Sequence, residues 1–223
     1  MACDSNGQYL ISALTTEHFV MQGAIGASVN EQQARASMFL YSVSGALIAI
    51  GFMAQSDHFL LFVAAVLPVL FLAGLLTTLR LVDIGMESLQ SHVTIARIRG
   101  HYRALGQPAE LIFDKAHGRW PEGKTDSGQI IGPMLGILTT AASMIACVNG
   151  LVGAVAMSML LFHLAHTGLA VSIVAGTAFA LGQVVAIYRY QNKRIAMVAK
   201  LATDTGVIVG DDGTSDHDDR NQT

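Results

Sequence analysis

The sequence predicts an all-α integral membrane protein, with four transmembrane helices in two antiparallel hairpins and helical extensions on the cytoplasmic side. Three observations carry that reading. Of 223 residues, 52% are hydrophobic and only 13% are charged, at a mean hydropathy of +0.49; a soluble domain carries about twice that charged fraction. Four long stretches contain no Asp, Glu, Lys, Arg or His, and a charge at the bilayer centre costs about 2.5–3.5 kcal/mol on insertion scales. The two short connections that join these stretches in pairs contain none of the thirteen Lys and Arg. The same composition narrows the function classes. A net charge of −3 and a pI near 6.2 argue against a protein that binds a nucleic acid polymer. Cys3 and Cys147 cannot build a disulfide framework, and neither stands in a CxxC pair.

Residues 1–35 read as a cytoplasmic segment whose last part, Glu17 to Arg35, is a juxtamembrane helix. Thr15 or Thr16 is its expected cap and Glu17 suits its first turn. Val20, Ala24, Ala27, Glu31 and Ala34 form a stripe rich in small residues, with Gly23 and Gly26 alongside. Such a face admits close approach of another helix. The first twenty residues lack the basic start and apolar core of a signal peptide.

Residues 36–79 form the first hairpin: Ala36 to Ser56, a tip containing Asp57 and His58, then Phe59 to Leu79. About 20 apolar residues rise about 30 Å as a helix, enough to cross the hydrocarbon. A connection this short forces the two spans to run antiparallel.

Residues 80–130 are polar by comparison and read as a cytoplasmic helical segment. Val82, Met86, Leu89, Val93, Ala96 and Gly100 recur at steps of four and three, flanked by Asp83, Glu87, Arg97 and Arg99. This heptad seam extends the second span by about five turns. Because the chain offers few other cytoplasmic elements to cover it, the seam favours self-association. The extension ends on Arg97, Arg99 and Arg103, whose guanidinium forks suit the phosphate of a nucleotide or lipid, or another small anion. No Gly-rich phosphate loop accompanies them. Pro108 to His117 predicts a short helix, followed by a loop from Arg119 to Gly128.

Residues 131–188 form the second hairpin. An approach segment containing Pro133 leads to a span from about Leu138 to Leu161; a tip from His163 to His166 leads to the last span, which begins at Thr167. Ala142, Ala146, Gly150, Ala154 and Ser158 place a small residue at every fourth position, echoed by Ser172, Gly176 and Ala180; this spacing predicts close helix crossing. Residues 189–223 continue as a basic helix to Ala202 and then as an acidic tail with a disordered composition. The tail lacks the closing Glu of a calcium loop. With every Lys and Arg on one side, the positive-inside rule places both termini and the central segment in the cytoplasm.

The chemistry on offer is sparse. Without an ionisable group in the spans, a pump or ion-coupled transporter is disfavoured. Among the polar residues there, Asn149 lies near mid-membrane and, with Ser143 and Gln183, is the candidate lining of a pore. A hydrogen bond from Asn149 to a neighbouring helix is the more common role of such a residue. Asp57 and His58 at one tip, with His163 and His166 at the other, form a candidate site for zinc or a similar cation if the tips meet. With no GxSxG, no Cys–His pair and no paired carboxylates, neither an enzyme nor a cofactor is expected.

Thr15 to Phe19 (TTEHF), Arg35 to Leu40 (RASMFL) and Ile95 to Tyr102 (IARIRGHY) together resemble a group of small bacterial multispan membrane proteins common in actinobacteria. The resemblance covers about the first hundred residues and the order of spans after them. It implies a bacterial cytoplasmic membrane and brings no site residues with it. The architecture of a helix, a short-tipped hairpin and a long cytoplasmic helix is also similar to the SLATT and Pycsar-type membrane effectors of phage defence. That likeness implies membrane damage in response to a nucleotide signal. The leading expectation is therefore an oligomeric channel or pore with a cytoplasmic sensing region. The alternatives are a non-conducting scaffold or accessory subunit, and metal binding or uptake at the outer tips. Membrane lipid and copies of the same chain are the expected partners.

Overall fold

Little in this chain can stop a helix, and its helices are correspondingly long. In the computed structural model, residues 2–115, 120–122, 136–137 and 139–204 are described, with only the backbone for residues 2–6. The helices are α1 (Ala2–Met53), α2 (Phe59–Arg103), α3 (Gln107–Ile112), α4 (Ala141–Leu164) and α5 (Leu169–Asp204). The described residues contain no strand, and α1, α2, α4 and α5 are long and apolar enough to cross a membrane.

Helix α1 begins well before the expected start at Glu17. Thr15 and Thr16 do not cap it; their hydroxyls donate to the carbonyls of Ile11 (2.9 Å) and Ser12 (3.0 Å) one turn back. A hydroxyl that finds an i−4 carbonyl is compatible with helix continuation. The face of α1 turned inward is also rotated from the expected stripe. Of the expected stripe Ala24 and Glu31 are half-buried, together with Met21, Ile25, Ser28 and Gln32, whereas Val20, Ala27 and Ala34 are exposed. Large side chains at the membrane level, among them Tyr41, Leu47, Ile48 and Phe52, stay uncovered.

Helix α2 runs unbroken past Pro68 into the expected extension and reaches Arg103, about six and a half turns beyond Leu79. It packs along α1 through paired levels: Phe39 clusters with Leu70, Glu31 meets Arg80, and Thr15 meets Tyr102. The heptad seam is covered within the chain. Met86 and Val93 bury against Val198 and Ala202 of α5, with Leu89, Ile195 and Trp120 at the margin. The expectation that few elements exist to cover this seam is thereby corrected: the C-terminal end of α5 does so, and no second copy is needed there.

The short helix α3 ends at Ile112, earlier than the expected His117, and starts after Gly106, whose φ of +138° favours glycine. Helix α4 starts at Ala141 rather than near Leu138 because Thr140 caps it, its side-chain oxygen accepting from the Ser143 N–H at 3.3 Å. The small-residue stripes of α4 and α5 face each other. A Cβ on Gly150 would rest 3.6 Å from Ala180, and one on Gly176 would collide with Ser158 and the Ala154 carbonyl. Close crossing of these helices is thus intramolecular. The approach segment with Pro133, most of the loop from Arg119 to Gly128, and the acidic tail after Asp204 lie outside the described residues.

Candidate functional site

Polar side chains gather at three levels, and each level is explained by the helices that meet there. The first is the middle of the bundle. Asn149 of α4 is 0% exposed. Oriented so that each end of its amide finds a complementary partner, it donates to the Phe71 carbonyl (3.1 Å) and accepts from Leu75 N–H (3.3 Å) and Gln183 Nε2 (2.9 Å). It thereby ties α2, α4 and α5 together. Gly74 makes room for it: a Cβ at that position would overlap the Asn149 amide and the Phe39 ring. Thr78, also fully buried, donates to the Gly74 carbonyl at 2.8 Å.

The expected pore lining is therefore divided and turned inward. Asn149 and Gln183 meet, but Ser143 stands apart with Gln191 (Oγ to Oε1 3.1 Å) and the Ile137 carbonyl (2.8 Å). Asn149 faces protein rather than an aqueous path within one chain. The reason is energetic, since an unpaired amide in an apolar interior costs on the order of 1–3 kcal/mol and three neighbouring groups satisfy this one.

The second level joins the helices just beyond the apolar spans. Glu31 of α1 pairs with Arg35 (2.8 Å) and with Arg80 of α2 (3.2 Å), and Arg80 also reaches Glu87 (3.2 Å). The hydrogen bond from Arg35, reinforced by Arg80, lowers the Glu31 carboxyl below its ordinary value of 4.5. Its counterpart Arg80 is raised, chiefly by its hydrogen bond to Glu31. Asp83 of α2 pairs with Arg194 of α5 at 2.9 Å.

The third level is the basic end of α2. Arg97 is exposed. Arg99 and Arg103 converge on Glu122, whose side chain is 1% exposed, at 2.8 and 2.6 Å. Arg99 Nη2 also donates to the Asp114 carbonyl (3.3 Å), Arg103 to the Phe113 carbonyl (3.0 Å), and the Arg99 guanidinium lies 5.6 Å from the Phe113 ring centre. The expected anion contact thus already holds an anion, supplied by the chain itself. Spacing rules did not single out Glu122, which lies 23 positions from Arg99. Beside this clamp, between α1, α2 and residues 120–122, is a half-open cavity of about 620 Å³.

At the tips, Asp57 and His58 are exposed, as are His163 and His166. Among the described residues no three His, Cys, Asp or Glu side chains stand close enough to hold a metal ion. The four candidate ligands do not converge. His163 instead meets the Phe162 ring edge-on at 5.0 Å and borders an apolar groove of about 560 Å³ between α2 and α4. Comparison with known protein families, curated proteins and solved structures finds no match to the chain.

Proposed function

We propose that this protein is a non-conducting scaffold or accessory subunit of a bacterial cytoplasmic membrane. In this reading α1, α2, α4 and α5 form two antiparallel transmembrane hairpins with both termini in the cytoplasm, and copies of the chain associate within the lipid. The observation that carries the reading is the complete enclosure of Asn149, the most central polar side chain of the spans, by hydrogen bonds inside one chain. A side chain committed in this way holds helices together and leaves little for water or an ion to contact. The uncovered apolar face of α1 supports the assembly part, since small residues at Gly45 and Gly51 have no neighbouring atoms within 4 Å of an added Cβ. The one-sided distribution of Lys and Arg supports the orientation.

Reconstitution in liposomes tests the reading. Potassium and chloride flux should match protein-free vesicles. Replacing Asn149→Leu should lower thermal stability by about 0.6–2 kcal/mol and leave flux unchanged. Discrete single-channel currents whose conductance changes in Asn149→Leu would overturn the scaffold and restore the pore.

A further inference from the structure

The cavity beside the Arg99–Glu122 clamp has chemistry that the scaffold reading does not use. Its walls come from α1 (His18, Gln22, Ile25), from α2 (Ile95, Arg99) and from Trp120. His18 Nε2 lies 3.0 Å from the Gln22 amide nitrogen; with the amide assigned in this orientation its nitrogen donates, which makes Nε2 the acceptor and assigns the ring proton to Nδ1. His18 Nδ1 is buried and has no hydrogen-bond partner. Arg99 commits Nε to Glu122 and Nη2 to the Asp114 carbonyl, and its Nη1 makes no hydrogen bond among the described residues. The Trp120 indole N–H likewise has none there. The cavity therefore holds a buried donor without an acceptor, His18 Nδ1, while Glu122 at its wall is engaged by the Arg99 and Arg103 ion pairs. Arg99 and Arg103 both pair with Glu122, and Asp114 stands beside Arg99 through its carbonyl. The remaining lining is mixed, with His92 and Glu122 polar and Ile25, Ile95 and the Trp120 ring apolar.

We propose that this cavity binds a small organic anion, its carboxylate or phosphate held by Arg99 and His18 and its apolar or aromatic body seated against Trp120, Ile25 and Ile95. Charge-assisted hydrogen bonds to a guanidinium are the strong ones, and a buried donor without an acceptor gains most from receiving one. A lipid phosphate is the wrong source by distance. Ile95 and Arg99 lie roughly 24–30 Å along α2 from Leu79 at the helical rise of 1.5 Å per residue, beyond a headgroup's reach under the topology proposed above. The inference rests on that topology for the exclusion of a lipid headgroup and for the side from which the ligand arrives. It is independent of whether the protein conducts.

The chain contains one tryptophan, Trp120, so its fluorescence reports the cavity directly. The full-length protein in phosphatidylcholine nanodiscs is titrated with phenyl phosphate, with inorganic phosphate and neutral phenyl glucoside in parallel. A saturable change with phenyl phosphate is expected, with each comparison ligand at least about tenfold weaker, the weight of one charge-assisted hydrogen bond. Arg99→Gln combined with Glu122→Gln should weaken the response by a similar factor. Gly26→Leu serves as the second variant; Gly26 borders the cavity and an added Cβ there meets nothing within 4 Å, so the larger side chain takes up cavity space, and its thermal unfolding is measured alongside to show that the fold is kept. No saturable change, an equal response to phenyl glucoside or to inorganic phosphate, or an unaltered response in Gly26→Leu would overturn the proposal. Nanodiscs containing anionic lipid should give the same titration; loss of the phenyl phosphate response there would assign the cavity to a headgroup and overturn the soluble ligand.

Discussion

Gly74 is where the bundle tolerates least. The Asn149 amide and the Phe39 ring both occupy the space a Cβ would need, so α1, α2 and α4 meet at one missing side chain. Replacing Gly74→Ala must push at least one of those helices outward, and overpacking of this kind costs about 1–3 kcal/mol. Gly182→Ala is the matched control, because an added Cβ there meets nothing within 4 Å and Ala favours the helix by up to about 1 kcal/mol. Thermal unfolding in detergent should show Gly74→Ala destabilised and Gly182→Ala unchanged or slightly stabilised. Equal behaviour of the two would mean that the Asn149 contact does not set the helix spacing. The polar half of this site was legible in the sequence, since Asn149 stands alone among apolar neighbours in its span. Gly74 was not, because nothing in a string of residues says which glycine of one helix lies opposite which amide of another.

Between elements, the ion pairs beyond the spans carry a pH dependence with a definite sign. Glu31 has its carboxyl lowered by Arg35 and Arg80. A carboxyl that is more acidic in the folded protein than in the unfolded chain contributes stability above the unfolded value of 4.5 and loses it as pH falls through the folded value. The α1–α2 junction should therefore loosen in acid. Unfolding measured from about pH 6 to about pH 3 should show a larger loss of stability in the wild type than in Glu31→Gln, which has no proton to take up at that position. Parallel profiles would show that the pair is too well solvated to matter. At this scale the helices themselves were readable and their partners were not. The extension of α2 was visible in the spacing of Val82, Met86, Leu89 and Val93. That α5 would cover it could not be read, because Val198 and Ala202 belong to a basic helix more than a hundred positions away whose own apolar stripe is short. The Glu122 clamp failed for the same reason. A lone carboxylate between Arg119 and Lys124 looks like an ordinary loop residue until the fold brings two arginines to it.

For the whole molecule the decisive claim is orientation. Every Lys and Arg lies in α1 before the first span, in the segment from Arg80 to Lys124, or after the last span, and none lies at the tips around Asp57 and His166. Each translocated cation would oppose the usual bias of membrane insertion, so a single topology satisfies all thirteen at once. The prediction is read with single cysteines in a Cys3→Ser, Cys147→Ser background. A cysteine replacing Asp57 or His166, both exposed, should react with a membrane-impermeant maleimide applied to intact spheroplasts. A cysteine replacing Lys193, exposed on α5, should react only after the membrane is opened. The reverse pattern would invert the protein and put the Arg99–Glu122 clamp outside the cell, where a cytoplasmic ligand never meets it. Labelling at one tip but not the other would break the two-hairpin arrangement itself. The paired levels of α1 and α2, from Thr15 with Tyr102 to Phe39 with Leu70, argue against that outcome for the first hairpin. The close crossing of α4 and α5 at Gly176 and Ala154 argues against it for the second.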